Sequence, residues 1–212
     1  MGKAKDAQRV KAKKAANSGS ADATPGLQKA SAAAKDKKSK GKQGGGLFFG
    51  DPLERELAAV GLRVAKITAD GNCLFRAVGD QTEGDEGRHT DLRQRACDLM
   101  VERREEFEPF VEDDQGFETY IKRMRKDGVW GGHMELQALS LLMGANVYVY
   151  QEGQPRWTVR NHPDHAPSIH LSYHGGEHYN SVRLLDDYTR GPPRTITLGA
   201  GGATAAAIAK VI

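Results

Sequence analysis

Cysteine is scarce in this sequence, and long apolar runs are absent from it. Cys73 and Cys97 are the two cysteines among 212 residues, so at most one disulfide could form and no C-x-x-C pair is present for a structural metal. No apolar segment approaches the ~20 residues that span a bilayer, and the N-terminus lacks the hydrophobic core of a signal peptide. We therefore expect neither a disulfide-stapled secreted domain nor a membrane protein. The protein is expected in a reducing compartment, which is the cytoplasm, the nucleus or both.

Acidic and large apolar residues are nearly missing from residues 1–46, which hold 11 Lys and one Arg against three Asp. This segment carries a net charge of +9 and the rest of the chain −6, so the whole-chain value of +3 hides two unlike parts. A Lys/Ala-rich segment buries too little surface to offset its ordering entropy, and we predict a disordered tail. A basic arm of this kind suits nuclear targeting or contact with nucleic acid or a ribosome, and a merely solvated tail is the equally weighted alternative.

The remaining sequence predicts one domain of ordinary size and a short second tail. We place the domain at residues 47–190, after a glycine linker, and a Gly/Ala-rich low-complexity tail at 191–212. Helical periodicity dominates the first half of the domain and strand alternation the second half. This order predicts an α+β fold in which helices flank a small, mostly antiparallel central sheet. We expect a monomer that uses no cofactor.

One predicted helix, opening at about residue 89, sorts its residues into a buried and an exposed face. Its apolar side chains recur at core spacing, and Arg93 and Arg95 are predicted to face water. Cys97 falls beside the apolar stripe, so we predict a packed core thiol there and not a second nucleophile.

The polar turn before Cys73 is the most informative stretch of the chain. The sequence DGNCLFRA at 70–77 follows a predicted strand at 62–67, and apolar residues then recur at helical spacing up to a polar loop predicted at 82–87. Cys73 is therefore predicted on the first turn of a helix, where unpaired N–H groups and the helix dipole stabilise a negative charge on sulfur. Gly71 lets the backbone approach a substrate closely. A buried, inert thiol is the alternative, and it is the usual role of a lone cysteine.

A second stretch supplies a candidate base. The sequence GEHYNSV at 176–182 opens a predicted strand at His178, and strand alternation places His178 and Asn180 on one face. A cysteine at a helix start, a histidine on a strand and an amide two residues later are the nucleophile, base and orienter of a cysteine-nucleophile site. His174 is the competing base, but it precedes the Gly-Gly turn and lacks the Tyr-Asn continuation.

Three segments, in this order, resemble a known family: DGNCLFRA at 70–77, WGGHMEL at 130–136 and GEHYNSV at 176–182. Together they resemble the ovarian-tumour (OTU) family of cysteine proteases over about residues 47–187. The resemblance implies a papain-like fold and a deubiquitinase, which hydrolyses the isopeptide bond after the C-terminal Gly-Gly of ubiquitin. Ubiquitin or polyubiquitin chains are then the expected partner.

In the mechanism that this implies, Cys73 forms a thioester, and His178 first takes the thiol proton and later protonates the lysine leaving group. The backbone N–H groups of Asn72 and Cys73 are the predicted oxyanion donors. Asn180 can accept from one imidazole nitrogen and fix the tautomer. Many OTU relatives carry an acid at this position, so the third catalytic role stays open between Asn180 and Asp70.

Asp70 stands three residues before the thiol, and two roles are open to it. Its carboxylate can accept the backbone N–H groups of Asn72 and Cys73 and so hold the turn. The resemblance also places this Asp among the active-site residues of many members. We weight shaping of the turn somewhat above direct contact with His178.

The middle segment and the remaining histidines receive separate predictions. Resemblance suggests that Trp130, Gly131 and Gly132 border a groove for an extended Gly-Gly tail, and a core position for the indole is the alternative. The other histidines match no zinc spacing, so we expect no metal site and place them on loop and strand surfaces. These histidines are His162, His165, His170 and His174.

Two functions of other classes stay open beside the hydrolase. One is a catalytically idle ubiquitin-binding scaffold, against which the complete Cys, His and Asn set argues, because binding alone has no use for it. The other is an RNA- or ribosome-associated protein that acts through the basic arm. Deleting residues 1–46 separates this last alternative, because ubiquitin cleavage would survive while salt-dependent nucleic-acid affinity would be lost.

Overall fold

The computed structural model describes residues 50–111 and 116–197. The α-helices in these ranges are α1 (Pro52–Ala59), α2 (Cys73–Glu83), α3 (His89–Glu102), α4 (Arg104–Phe107), α5 (Phe117–Met124) and α6 (His133–Met143). The strands are β1 (Leu62–Ala65), β2 (Asn146–Gln151), β3 (Trp157–Val159), β4 (Ser168–His174) and β5 (His178–Leu184). Single 3₁₀ turns cover Glu86–Arg88 and Glu108–Phe110. The predicted tail at 1–46 and residues 198–212 of the second predicted tail lie outside the described residues.

The strands form one sheet in the order β1-β5-β4-β2-β3. β1 with β5, β5 with β4 and β2 with β3 are antiparallel, and β2 with β4 is parallel. The parallel pair arises because β3 folds back on the outer side of β2, after which the chain returns before β4 begins. The predicted α+β fold with a mostly antiparallel sheet is confirmed.

Apolar residues on the two faces of the sheet build separate cores. The larger core packs α2, α3 and α6 against one face, and Phe75 and Leu139 are fully buried there. The smaller core packs Leu53 and Leu57 of α1 against the opposite face, beside Tyr150 of β2. Because α2 is buried along most of its length, its first residue, Cys73, is held in place by the core. No helix in the described ranges has the length and apolar character needed to cross a membrane.

Two element boundaries differ from the predicted ones for local reasons. β1 ends at Ala65 and not at Ile67, because the Ile67 N–H donates to the Asn180 side chain (2.8 Å) and leaves the ladder. α2 continues through Glu83, where we predicted a loop from Thr82 onward. The Thr82 hydroxyl donates back to the Val78 carbonyl (2.9 Å), so this polar side chain has a partner within the helix.

Residues 191–197 pack on the domain, so the folded chain continues past residue 190, where we predicted a tail. Ile196 is 6% exposed and joins the smaller core. Arg183 donates to the Gly191 carbonyl (3.2 Å), and the Arg194 N–H donates to the Asp187 carboxylate (2.8 Å). An irregular segment anchored by side chains from elsewhere has no periodicity for sequence inspection to detect.

Two polar side chains that we predicted at the surface are buried. Arg93 is 1% exposed, because α3 packs against α2, α5 and α6 at once and more than one side of it is covered. His170, also 1% exposed, stacks on the rings of Tyr148 and Tyr150 under the smaller core. The prediction that Cys97 is a packed core thiol is confirmed.

Candidate active site

Residues from both predicted motifs open onto one cavity of about 410 Å³. Its lining residues are Ala69, Asp70, Gly71, Cys73, Trp130, Glu177 and His178. The thiol at the head of α2 and the imidazole at the start of β5 therefore share one space. Among the described residues, the His178 ring is hydrogen-bonded to Asn180 and not to the thiol. Catalytic hydrogen bonds of this kind often tighten only in the Michaelis complex.

Cys73 is the first residue of α2, as predicted, and is 7% exposed. Asn72, at the N-cap position, makes no side-chain cap to the helix. Its Oδ1 instead accepts from the Arg93 guanidinium (2.7 Å) and from the Gly128 N–H (2.9 Å). The N–H groups of the first turn have no intrahelical acceptor, so they can bind a negative charge beside the sulfur.

Asp70 is clamped by a cation that our sequence inspection missed. Arg76 donates to its carboxylate through Nη2 (2.6 Å) and Nε (3.0 Å). This guanidinium holds the pKa of the Asp70 carboxyl well below its usual range, with the Asn72 N–H adding to the effect. In the described structure, Asp70 therefore shapes the turn and makes no hydrogen bond to His178.

The Asn72 N–H, one of the two predicted oxyanion donors, is already engaged. It donates to Asp70 Oδ1 at 3.0 Å. In this conformation, the Cys73 N–H is the predicted donor that is left to meet an oxyanion. The correction follows from the Asx-type turn itself, in which a carboxylate accepts the N–H two residues further along.

Asn180 lies against the candidate base. Its Oδ1 accepts the Ile67 N–H at 2.8 Å and lies 3.1 Å from His178 Nε2. Because the backbone donor identifies this atom as the amide oxygen, Nε2 must carry the ring proton to bond with it. Nδ1 is then the acceptor nitrogen, which is the state required of a base. Of the two candidates for the third role, Asn180 and not Asp70 contacts the imidazole.

His174 is engaged at both ring nitrogens. Nδ1 lies 2.9 Å from Asp51 Oδ2, and Nε2 lies 2.9 Å from Ser172 Oγ. It pairs with His178 across the β4–β5 register, so both candidate bases stand at the same end of the sheet. With both nitrogens occupied, His174 has no free acceptor for a thiol proton.

Trp130 and its two glycines form a wall near the thiol. Trp130 lines the cavity and is 62% exposed, so it does not fill the core. A Cβ on Gly131 would come within 2.8 Å of Leu74, which shows how closely the wall approaches α2. The Gly132 N–H donates to the buried carboxylate of Glu135 (2.7 Å), which ties the wall to α6.

Gly128 is a second structural element of the site that the sequence did not reveal. Gly71 has φ +83°, and a Cβ there would lie 2.1 Å from the Gly128 carbonyl oxygen. The two backbones therefore touch directly. The Asp-Gly pair at 127–128 indicates a turn, but no local pattern shows that this turn meets Gly71. Within the described ranges, no group of three or more His, Cys, Asp and Glu side chains is placed to hold a metal ion.

A cysteine on the first turn of a helix, facing a histidine that an asparagine orients, is typical of cysteine hydrolases. The family model described as OTU-like cysteine protease matches residues 68–179. The chain belongs to this family.

Individual relatives agree with the family match. The chain is 48% identical over 153 residues to OVARIAN TUMOR DOMAIN-containing deubiquitinating enzyme 7 of Arabidopsis thaliana, covering 72% of this chain and 41% of the relative. It is 39% identical over 143 residues to OTU domain-containing protein 3 of Mus musculus, covering 67% of this chain and 36% of the relative. The chain thus spans well under half the length of these curated relatives.

Solved structures share the fold. The OTUD1 OTU domain superposes with a TM-score of 0.56 at 28% identity, covering 61% of this chain and 90% of that one. An OTU domain solved in complex with ubiquitin has a TM-score of 0.50 at 21% identity, covering 60% of this chain and 73% of that one. The predicted papain-like OTU fold is confirmed.

Proposed function

We propose that this chain is a cysteine-type deubiquitinase that hydrolyses the isopeptide bond after the C-terminal Gly-Gly of ubiquitin. The observation that carries the proposal is that Cys73 and His178 line one cavity. Asn180 binds Nε2 of the imidazole, which leaves Nδ1 as the nitrogen that can accept a proton. A relative 48% identical to the chain is named as a deubiquitinating enzyme, which supports the same activity.

The proposed reaction begins with transfer of the Cys73 thiol proton to His178 Nδ1. The thiolate attacks the carbonyl carbon of the terminal glycine, and the Cys73 N–H at the head of α2 donates to the oxyanion. The imidazolium then protonates the departing lysine amine, which leaves a thioester on Cys73. Water attacks the thioester with His178 as base, and the thiol and a ubiquitin carboxylate are released.

The walls of the cavity suit a tail without side chains. Gly71 and the indole of Trp130 both line the cavity onto which Cys73 opens. Gly131 packs the Trp130 segment closely against Leu74, the residue after the nucleophile. Walls that approach this closely favour a Gly-Gly terminus over residues with bulky side chains, and ubiquitin or polyubiquitin is the partner that we propose.

Location and the basic arm are separate proposals. A nucleophilic thiol must stay reduced, which supports the cytoplasm, the nucleus or both. The net charge of +9 on residues 1–46 supports contact with nucleic acid or a ribosome. Deletion of these residues tests that contact and leaves the proposed active site intact.

A panel of di-ubiquitins and of other modifiers ending in Gly-Gly tests the activity. We expect the full chain to cleave ubiquitin dimers, Cys73→Ala to abolish cleavage, and the matched variant Cys97→Ala to retain it. A ubiquitin C-terminal electrophile should label Cys73 and spare Cys97, because Cys97 is fully buried and burial raises the pKa of its thiol to about 11.

Three outcomes would contradict the proposed function. Cleavage retained by Cys73→Ala would reject the nucleophile. Ubiquitin binding without cleavage of any dimer would favour the idle scaffold, and cleavage of another modifier alone would correct the substrate.

A further inference from the structure

Arg93 is a buried cation without a counter-ion. It is 1% exposed, and no carboxylate in the described residues lies within ion-pair distance of it. Asp127, Glu135 and Asp70 act on it only at longer range, as does the Cys97 sulfur, and burial lowers the pKa of its guanidinium. Burying an unpaired charge is costly, so its acceptors must offset that cost.

Two of those acceptors belong to the residues just before Cys73, and the third is at the end of α5. Arg93 Nη2 donates to Asn72 Oδ1 (2.7 Å) and to the Gly71 carbonyl (3.4 Å), and Nη1 donates to the Met124 carbonyl (2.9 Å). Its Cζ lies 4.2 Å from the centroid of the Phe75 ring. One guanidinium therefore contacts the two residues before the thiol and the residue two positions after it.

The bond to Asn72 has a consequence for α2. Asparagine is among the strongest N-cap residues, because its side-chain oxygen normally accepts an N–H of the first turn. Here that oxygen is held by Arg93 and by the Gly128 N–H, and the cap bond is not made. The N–H groups that such a cap would bind, those of Leu74 and Phe75, are therefore not bound by the Asn72 side chain and lie next in the first turn to the Cys73 N–H, the predicted oxyanion donor.

We propose that Arg93 is a positioning residue of the reaction, which keeps the Asn72 side chain off the N-terminus of α2 and places a buried positive charge behind the 71–72 turn that leads into Cys73. The first effect leaves the first-turn N–H groups after Cys73, which an N-cap side chain would bind, uncapped at the positive end of α2. The second stabilises the negative charge that forms on sulfur and on the attacked carbonyl. The cleavage part of this proposal rests on the proposed deubiquitinase function, and the part that concerns the sulfur does not.

Arginine is the residue that this geometry requires. One terminal nitrogen of its planar guanidinium fork donates to the Met124 carbonyl and the other donates to Asn72 Oδ1, while the face of the group stacks on the Phe75 ring. A lysine ammonium at the same position would keep the charge but could not reproduce the fork.

Three variants in a Cys97→Ala background separate these roles: Arg93→Met, Arg93→Lys and the control Arg125→Met. Arg125 also joins α3 to the end of α5, through the Gln94 carbonyl (3.4 Å) and Asp98 (2.6 Å), but it does not touch the 71–72 turn. The measurements are kcat and KM on a fluorogenic ubiquitin C-terminal amide, the pH profile of Cys73 alkylation by iodoacetamide, and Tm.

We expect Arg93→Met to lower kcat by about 100-fold, the scale of losing one oxyanion donor, with little change in KM. Its alkylation profile should move to higher pH. Arg93→Lys should keep the alkylation profile near wild type while kcat stays low, and Arg125→Met should change Tm alone.

Equal kcat in Arg93→Met and Arg125→Met, with both folded, would overturn the proposal, as would a fall in Tm without a shift of the alkylation profile. If Arg93→Met does not fold, an unchanged kcat in Arg93→Lys overturns the role of the fork. If the wild-type chain cleaves no ubiquitin, the proposed function fails, while the alkylation profiles still decide whether Arg93 acts on the sulfur.

Discussion

His174 and His178 face each other across the β4–β5 pair, yet their ring nitrogens have different partners. Asp51 and Ser172 take both nitrogens of His174, while His178 has Asn180 on Nε2 alone. At the scale of a residue, the choice of base thus depends on which imidazole has a ring nitrogen free to accept the thiol proton.

Alanine substitution of each histidine tests this difference. We expect His178→Ala to lower kcat/KM by about 10²–10⁴-fold, the usual contribution of a general base. His174→Ala should leave kcat/KM within a few-fold of wild type but lower Tm, because the buried Ser172 hydroxyl loses its partner at a cost of about 1–3 kcal/mol. Steady-state kinetics on a fluorogenic ubiquitin amide and thermal melts measure both, and the opposite ranking in kcat/KM would make His174 the base.

At the scale of an element, the turn before α2 is held from three directions. Arg76 fixes Asp70, Arg93 fixes Asn72, and the backbone of Gly128 packs on Gly71. The turn thus owes its shape to α2, α3 and the segment after α5 together. A substitution that moves any one of these elements should therefore alter the position of the Cys73 thiol.

Gly71→Ala probes the backbone contact, with Gly153→Ala as the matched control. Both glycines have positive φ, +83° and +61°, but only at Gly71 would the new Cβ meet another backbone. We expect Gly153→Ala to cost about 1–2 kcal/mol, the left-handed strain. Gly71→Ala should cost roughly 2–5 kcal/mol, since overpacking adds to that strain, and should also lower kcat/KM. Urea unfolding followed by tryptophan fluorescence gives both free energies, and equal losses would mean that the Gly71–Gly128 contact has no energetic weight.

At the scale of the whole molecule, a histidine that folding keeps neutral is buried against the tyrosines of the smaller core. Burial, with a contribution from the charge of Arg156, lowers the pKa of His170 from 6.5 to about 3. Its nitrogens lie 3.0 Å from the Tyr150 hydroxyl and 2.9 Å from Ser168 Oγ. Protonation in place would put a charge among buried rings.

The pH dependence of stability follows from this. Below pH 6.5 the unfolded chain binds a proton at His170 that the folded chain does not bind until about pH 3, so the free energy of unfolding falls as pH falls through this window. The slope from this one group is up to about 1.4 kcal/mol per pH unit. Urea titrations at several pH values should show that slope in wild type and in the exposed-site control His165→Gln, and its loss in His170→Gln. An unchanged slope in His170→Gln would assign the acid sensitivity to other groups.

Local patterns were enough to predict most of the elements and both motifs of the site. The helix that begins at Cys73, the strand that begins at His178 and the shared face of His178 and Asn180 follow from periodicities of 3.6 and 2. These depend on residues a few positions apart. The family resemblance added the OTU fold, which composition and spacing could not have supplied.

Local sequence thus sets the positions of the thiol, the imidazole and the amide along the chain and the kind of element on which each lies. Contacts between distant parts of the chain are what bury Arg93, pair Asp70 with Arg76, occupy His174 and fix residues 191–197 to the domain. Burial and side-chain pairing depend on which elements, distant in sequence, pack together in the fold. Helix and strand patterns, by contrast, arise within a few residues and can be recognised in the sequence.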